Sequence, residues 1–411
     1  ADANGFRGAV LLAAGVFETA GTLSIASSGV VLRGSGAGPK GTTIRMTGAP
    51  HRLLDIRGTG TWKEAGQPAK ITDAYVPSGA DSFEVKSTAG FAPGDKILIR
   101  RPVTEAWVHF MGMDTLVRDG KQQTWIKPGT SIRTDRVIKT ISKNRITLDV
   151  PLSDALDASM LGTEGATIVK YDFPGRISQV GIESLRVIAP ADDKPITEGQ
   201  FTMLRMDAVS DAWARDISIE ETQNGVTIGA SARRVTLYNV RIRHSITHTG
   251  AAAPADFGIS GTQILLSLCW VSGKGTWPVV TQAMVTGPNV VLGFFADEAG
   301  VSPHQRWATG LLVDASEFRN NTARRPGIAF SNRKTAGSGH GWDIGWGVAW
   351  NVQSNFLLIQ QPPGALNWCI GCVGEVVEAL DAGTIDSAGR QVLPRSLYLQ
   401  QLKDRLGKSV E

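Results

Sequence analysis

The run of residues 303–310 holds three residue types that could do chemistry together. His304 is a proton-transfer group, Arg306 a fixed cation and Trp307 a flat apolar ring, all within four positions. An imidazole titrates near neutral pH, and a guanidinium stays charged and can bind a carboxylate through two parallel hydrogen bonds. We therefore expect acid–base chemistry on an anionic ligand at this run, if the chain is an enzyme.

A second cluster follows in residues 337–343, where His340 and Trp342 stand among glycines and a serine. Glycine permits unusual backbone angles and a close approach of a ligand. This setting makes His340 the stronger candidate base of the two histidines. The alternative for each histidine is a purely structural role.

Composition limits the class of protein. The 411 residues are 42% hydrophobic and include 47 glycines, which favours many turns and short strands. The net charge of +4 arises from 42 basic and 38 acidic residues with no long run of either sign, so the dense basic stripe of a nucleic-acid binder is missing. No segment approaches the ~18 apolar residues of a membrane helix. We predict no nucleic-acid partner and no membrane insertion.

The N-terminal sequence and the cysteines bear on location. The chain begins Ala-Asp-Ala-Asn-Gly without Met, so we expect a signal-trimmed, secreted or periplasmic protein. Three cysteines in so long a chain cannot form a disulfide framework, and one Cys-Ile-Gly-Cys pair is a weak redox or zinc signal. Buried thiols or one incidental bridge are the simpler interpretations.

Short strands repeat along the chain. Each is cut off by Gly, Ser or Pro after a few residues, and from residue 175 onward the strands recur roughly 20 to 37 residues apart, a spacing typical of stacked solenoid units. Their alternation fits strands whose inward residues stack between coils, so we predict an all-β, right-handed, single-stranded parallel β-helix. The predicted rungs are 181–187, 214–219, 235–242, 264–271, 289–295, 310–314 and 347–352.

The predicted organisation is one β-helix domain over residues 1–411. Residues 82–151 change in texture and are interpreted as an inserted β-hairpin excursion. Residues 393–411 carry leucines near helical spacing and are interpreted as a closing helix or tail. The oligomeric state is not predicted.

If Leu237 and Leu266 stack in register, His244 and Lys274 emerge at nearly the same point of their coils. The longer loops leave on that side, so the rungs predict a continuous groove assembled from successive coils. The groove would run across His244, Lys274, His304, Arg306 and His340.

Several stretches resemble one family. The opening residues 8–15, the Gly-Val-Val-Leu-Arg-Gly-Ser-Gly of residues 29–36, and residues 287–310 with 338–342 resemble the pectate-lyase-like superfamily of right-handed β-helix proteins, in a bacterial branch. The resemblance implies a carbohydrate-active protein, most often a polysaccharide lyase acting on uronic-acid polymers. The calcium-binding Asp cluster and Arg motif of pectate lyases and the paired Asp motifs of polygalacturonases have no recognisable match.

Lyase chemistry needs a base, a group that stabilises the enolate-like intermediate, and an acid for the leaving group. His340 or His304 would be the base, Arg306 would neutralise the carboxylate, and Lys274 would be a second cation or an acid–base residue. The partner would be an acidic polysaccharide or oligosaccharide. The tryptophans would bind the substrate by stacking against a sugar ring. The predicted substrate-binding residues are His244, Trp277, Trp307 and Trp342.

Alternatives remain open. A glycoside hydrolase or transglycosylase would use two carboxylates such as Asp297 and Asp314, and a non-catalytic, tailspike-like protein would only bind a glycan. We predict no cofactor, although Asp297 and Glu298 could hold Ca²⁺. Arg306 could instead be tied structurally to Asp297 or Glu298. His244 and His248 alone are a weak zinc signal.

Overall fold

The computed structural model describes Asp2, residues 4–249 and residues 253–408. The first six strands build the start of the coil. They are β1 (Gly8–Leu11), β2 (Gly15–Thr19), β3 (Leu23–Ile25), β4 (Val30–Arg33), β5 (Thr42–Met46) and β6 (Arg52–Arg57).

The chain then leaves the coil for an inserted unit, which we define as residues 62–173. It contains one 3₁₀ turn at Ala158–Met160. Its other elements are β7 (Lys63–Lys70), β8 (Tyr75–Val76), β9 (Ser82–Glu84), β10 (Lys96–Pro102), α1 (Glu105–Phe110), β11 (Val117–Arg118), β12 (Lys121–Gln122), β13 (Ser131–Ser142), β14 (Arg145–Leu148), β15 (Leu156–Asp157) and β16 (Thr167–Asp172).

The coil resumes after the inserted unit and continues to a C-terminal helix. Its elements are β17 (Ile177–Ile188), β18 (Thr202–Asp207), β19 (Val209–Glu220), β20 (Val226–Ile228), β21 (Arg233–Thr247), β22 (Ala255–Ile259), β23 (Thr262–Ser267), β24 (Trp270–Lys274), β25 (Trp277–Thr281), β26 (Thr286–Leu292), β27 (Phe295–Asp297), β28 (Ala308–Asp314), β29 (Glu317–Arg319), β30 (Ile328–Phe330), β31 (Ile344–Gly345), β32 (Val348–Trp350), β33 (Gln353–Ile359), β34 (Trp368–Ile370), β35 (Val373–Val376), β36 (Thr384–Asp386) and α2 (Leu397–Leu406).

One row of residues runs through successive coils in parallel register. Its inner members are buried aliphatic, alanine or cysteine side chains, each covered by the coils above and below. Parallel pairing at about 4.8 Å per strand stacks like positions directly. The predicted parallel β-helix, including the register of Leu237 with Leu266, is confirmed. The row is Val10, Leu32, Ile182, Ala214, Leu237, Leu266, Val291, Val313, Ala349, Cys369 and Ile385.

A single left-handed residue turns the chain two positions after this row. The turning residues have φ between 47° and 66°, a region that Gly and, less readily, Asn and Asp adopt. Asn239 donates from Nδ2 to Oδ1 of Asp216 on the coil before, at 2.7 Å, so the corners also stack. Each corner therefore directs the next strand onto a second face of the coil. The corner residues are Ser184, Asp216, Asn239, Leu268, Gly293, Ala315, Asn351 and Gly371.

The inserted unit is built on an antiparallel sheet with strand order β7-β16-β10-β13-β14-β9. It has a core of its own around Phe83, Ile97, Ile146 and Ile168, each at most 1% exposed. The predicted excursion of residues 82–151 lies within it, and the strands β7 and β16, which flank that segment in the chain, are the two strands at one edge of the sheet. The unit is thus held by its own packing as well as by the coil.

Tryptophans join the inserted unit to the coil. Trp107 and Trp125 of the unit contact Trp307 of the coil, with ring centroids 5.5 and 6.1 Å apart. Nε1 of Trp125 donates to the carbonyl of Trp342, and Nε1 of Trp342 donates to the carbonyl of Met111, both at 3.1 Å. These rings fix the unit along one edge of the coil.

The C-terminal helix α2, which the sequence also predicts, closes the chain. The Ser396 hydroxyl accepts from the Leu399 backbone N–H, and Gly407 ends the helix in the left-handed region, with φ of 65°. The three cysteines are buried and free. Within the described ranges, no helix is long and apolar enough to cross a bilayer.

Candidate active site

Three stacked turns carry the candidate site. The strand β25, the isolated rung residue Val301, β30 and β33 pair in parallel, one coil after another. The turns that follow these strands therefore stack as well. They bring Gln282, His304 and Arg333 together: Nδ1 of His304 lies 3.2 Å from Oε1 of Gln282, and Nη1 of Arg333 donates to the carbonyl of His304 at 2.7 Å.

His304 and His340 form a pair. Their ring centroids lie 4.6 Å apart with the planes at 80°, an edge-to-face contact. His304 is half-buried, whereas His340 is 9% exposed and its Nδ1 has no hydrogen-bond partner among the described residues. A Cβ on Gly337 would come within 2.1 Å of Nε2 of His340, so only glycine leaves room for this ring. The two clusters predicted from the sequence thus form one site.

Both imidazoles are neutral at physiological pH. Burial, together with the nearby positive charges of Arg333 and Arg306, lowers the pKa of His304 to about 4. Burial likewise lowers the pKa of His340 to about 4, with contributions from Arg333, His304 and Arg306. Neutral imidazoles can accept a proton, so the environment favours a base rather than an acid.

Arg306 holds the two clusters together. Its Nη2 donates to the carbonyl of Ser338 at 2.9 Å and to Oγ at 2.7 Å, and its backbone N–H donates to the carbonyl of His340 at 3.0 Å. Arg306 and Trp307 both have positive φ, 53° and 69°. Non-glycine residues in this region cost on the order of 1–3 kcal/mol each and concentrate at functional sites.

A cationic cleft adjoins Arg306. The hairpin of β11 and β12 from the inserted unit forms one wall, and the turn around Ser338 forms the other, enclosing about 590 Å³. Arg118 spans the two walls, since its Nη1 donates to the carbonyl of Gly337 at 2.9 Å. Arg118, Lys121 and Arg306 line the cleft against one carboxylate, Asp119. The cleft therefore favours an anionic ligand.

The coil places His244 away from this cleft. The side chain of His244 is fully buried, with Nε2 2.7 Å from Oδ1 of Asp256 and Nδ1 3.3 Å from Nε2 of His248. Burial alone would lower the pKa of His244, but the Asp256 carboxylate raises it above the ordinary value. The predicted continuous groove does not reach His244, because Asp256 and the neighbouring coils enclose it.

Lys274 is exposed at the end of β24, where its backbone pairs with Thr247. It lies three residues past the His244 position on the neighbouring strand. The prediction that the two emerge nearly together is correct for the backbone, but only Lys274 is accessible. The structure records no contact between the Lys274 side chain and the histidine pair, within the ranges it describes.

The predicted sugar platforms differ in their access to solvent. Trp307 and Trp342 are each 2% exposed, because the inserted unit covers both rings. Neither presents a free face to a sugar in this structure. Trp277 is half-buried, and the guanidinium of Arg325 covers its ring with Cζ 4.4 Å from the centroid.

The carboxylates of the alternative mechanisms have structural partners. Asp314 is fully buried and its Oδ2 accepts from Oγ of Ser396 and from the backbone N–H of Tyr398, each at 2.7 Å. Asp314 therefore binds the N-terminus of α2 and is closed to substrate. Asp297 accepts from Asn320, and Glu298 accepts from the backbone N–H of Gly275. In the part of the chain that the structure describes, no three His, Cys, Asp or Glu side chains are placed to hold a metal ion.

Several residues of the site carry no signal in the sequence. Arg118 and Lys121 stand in a polar stretch of the inserted unit, more than 180 positions from Arg306 in the chain. Arg333 and Gln282 reach His304 only because the turns of neighbouring coils stack. The spacing of the rungs indicates in part that Gln282 and Arg333 approach His304. It gives no indication that the β11–β12 hairpin, which carries Arg118 and Lys121, lies beside Arg306.

The strand pairing defines the chain as a parallel β-helix protein with an inserted antiparallel unit. No model of a known protein family matches the chain. A comparison with curated proteins likewise found no match.

Among solved structures, the tailspike protein gp49 from Pseudomonas phage LKA1 is 12% identical, with a TM-score of 0.40, and the match covers 94% of this chain and 72% of that one. The gp54 tailspike of Acinetobacter baumannii bacteriophage AP22, solved with a capsular saccharide, is 11% identical with a TM-score of 0.42, and the match covers 92% of this chain and 60% of that one. The catalytic domain of a GH87 alpha-1,3-glucanase, in complex with nigerose, is 10% identical with a TM-score of 0.24. This match covers 79% of this chain and 90% of that one. Likenesses this low carry no argument, so the fold assignment rests on the strand pairing.

Proposed function

We propose that the chain is a polysaccharide lyase that cleaves a uronic-acid-containing glycan by β-elimination at the His304–His340 pair. The observation that carries the proposal is a pair of neutral imidazoles packed behind Gly337, which with Arg306 lines the cationic cleft. We also propose membership of the pectate-lyase-like superfamily and a secreted or periplasmic location in a bacterium, where such glycans are met.

The proposed reaction uses few groups. Arg306, with Arg118 and Lys121, attracts the sugar carboxylate and lowers the energy of the enolate-like intermediate. A neutral imidazole accepts the proton from the carbon next to the carboxylate. The electron pair forms a carbon–carbon double bond, and the glycosidic bond breaks. The imidazolium then passes its proton to the leaving oxygen, so protons balance without a metal ion.

Glycan binding without turnover is the second candidate. His340 is only 9% exposed, which favours a surface that binds the polymer but does not deprotonate it. A hydrolase that uses Asp297 and Asp314 has less support, because Asp314 is committed to the α2 terminus.

A panel of acidic polysaccharides, each paired with its carboxyl-reduced form, tests the proposal. Cleavage of an acidic polymer should produce the ultraviolet absorbance of an unsaturated uronide, and the neutral partner should be inert. New reducing ends without that absorbance would contradict a lyase. Binding with no new ends would favour the non-catalytic candidate.

The activity is expected to persist into acid. Because burial and the neighbouring arginines lower the pKa of both histidines to about 4, the base stays deprotonated well below the ordinary imidazole pKa of about 6.5. The acidic limb of kcat/KM against pH should therefore lie near pH 4. A limb near pH 6.5 would mean that the base is a histidine in an ordinary environment, and not this pair.

A further inference from the structure

A second cavity lies between the inserted unit and the coil, apart from the cationic cleft. It encloses about 270 Å³ and is lined by Trp62, Arg133, Asp135 and Arg176 on one side and by turns of three successive coils on the other. Small-molecule sites begin at roughly 300 Å³, so this cavity lies just below the smallest of them. A ligand larger than about one sugar unit would not fit.

The floor of this cavity is a buried charge network. Asp135 is 4% exposed, and its carboxylate accepts from Nη1 of Arg176 at 2.9 Å, from Nη1 of Arg233 at 2.7 Å and from the hydroxyl of Tyr171 at 2.7 Å. Arg133 also lines the cavity. Two arginines thus bind the one carboxylate, and the third, Arg133, stands at the cavity wall without a contact to Asp135, so the local charge is positive.

Buried hydrogen-bond donors remain unused at this floor. The side chain of Arg176 is 8% exposed, yet neither its Nε nor its Nη2 has a partner in the described part of the chain. The indole Nε1 of Trp62 is likewise buried without an acceptor among those residues. Unpaired buried donors are rare, because each loses its hydrogen bonds to water without a replacement. Arg176 and Trp62 both line the cavity, so a ligand rich in acceptor oxygens would lie beside these unused donors.

We propose that this cavity binds one uronic-acid unit, with its carboxylate on Arg176 and Arg133 and its ring against Trp62. A guanidinium fork matches a carboxylate, and an indole offers an apolar face beside a donor N–H. The ligand class is that of the proposed lyase, so the inference rests on that function for its biological meaning, but the residues of the two sites are separate.

The cavity has a geometric link to the candidate active site. Met284, which lines the cavity, donates from its backbone N–H to the carbonyl of Arg306 at 2.8 Å. The cavity therefore ends one coil before the turn that carries Arg306, about 4.8 Å along the coil axis. A uronate bound here would anchor an acidic chain beside the cleft.

Calorimetric titration with D-galacturonic and D-glucuronic acid tests the proposal. At least one should bind saturably, with a Kd of roughly 1 mM. Galactose, glucose and acetate should bind at least about tenfold more weakly, because the first two lack the carboxylate and acetate lacks the ring. Absence of saturable binding, or equal binding of acetate, would overturn the proposal.

Two variants assign the binding to this cavity. Arg176 is unsuitable because its loss would leave Asp135 partly unpaired in the interior, so Trp62→Leu and Arg133→Gln are used instead. Each should weaken binding by about tenfold. The control Lys139→Gln, on the same strand as Arg133, should bind as the parent does. Melting temperatures show whether all three variants fold.

The outcome is separable from that of the lyase assay. Unchanged binding in both Trp62→Leu and Arg133→Gln would overturn this cavity as the site, even if the chain cleaves a polymer. Binding that both variants weaken, with no cleavage of any polymer, would keep the cavity and reject the lyase.

Discussion

Exchange of His340 for glutamine is expected to lower kcat/KM on a cleavable acidic polysaccharide by about 10²–10⁴-fold, the usual contribution of a general base. Glutamine keeps a polar side chain of similar length in the space over Gly337 but cannot accept a proton at neutral pH. Cleavage should be followed from the initial rate of unsaturated product. Binding of the polymer should change little, because Arg306, Arg118 and Lys121 remain in the cleft.

Two further variants sharpen this result. His304→Gln shows which ring is the base. Replacing the base should lower kcat/KM more than replacing the other histidine of the pair. His51→Gln is the matched control, because His51 contacts Phe201 and the carbonyl of Ala49, away from the pair. If His340→Gln and His304→Gln both retain activity within about threefold of the parent, the pair does not perform the chemistry.

Exchange of Trp307 for alanine is expected to cost about 3–5 kcal/mol of folding stability, as for other large buried aromatic residues. The ring is 2% exposed and contacts both Trp107 and Trp125, and its Nε1 donates to Oδ2 of Asp154 at 3.0 Å. Its loss leaves a cavity at the junction and removes one hydrogen bond from a buried carboxylate, which keeps Arg101 as its ion-pair partner. Denaturant unfolding measures the loss, and hydrogen exchange should rise first in residues 104–126.

Trp270→Ala is the matched control for this variant. Trp270 is half-buried on the coil and stacks on Phe295 with centroids 6.1 Å apart, so its loss should cost about 1 kcal/mol and leave exchange in the inserted unit unchanged. Equal costs for the two variants would contradict the role of Trp307 as the junction between the unit and the coil.

The coil could be predicted from the sequence because its physics is local. Apolar residues at every second position, interrupted by Gly, Asn or Asp where the chain turns, describe one coil at a time. The register then follows, since a one-residue slip would turn the inward side chains to solvent. For this reason the parallel register of Leu237 with Leu266 can be predicted from the sequence alone.

The inserted unit was harder to delimit. Its strands β7 and β16 pair with each other across about 100 residues of the chain. The polar sequence of β7 lacks the alternation of a strand, and β16 has the same alternation as a coil strand. Antiparallel and parallel strands share the same alternation, so the boundary depends on tertiary pairing.

The candidate site was predictable only in part. The sequence identifies His304, Arg306 and His340, which lie on turns that leave the coil. It cannot show that Trp307 is covered by α1, or that His244 is enclosed beside Asp256, because burial arises from segments distant in the chain or from stacked coils. The cations of the cleft come from the inserted unit and have no local signal.

The mass of the reaction products tests the central claim most directly. A defined acidic oligosaccharide is incubated with the chain and with His340→Gln, and the fragments are read by mass spectrometry. β-Elimination predicts that the fragment with the new non-reducing end is lighter by one water than the corresponding hydrolysis product, and that this fragment is nearly absent with the variant. Fragments that have all gained water, or unsaturated fragments formed equally well by His340→Gln, would contradict the account.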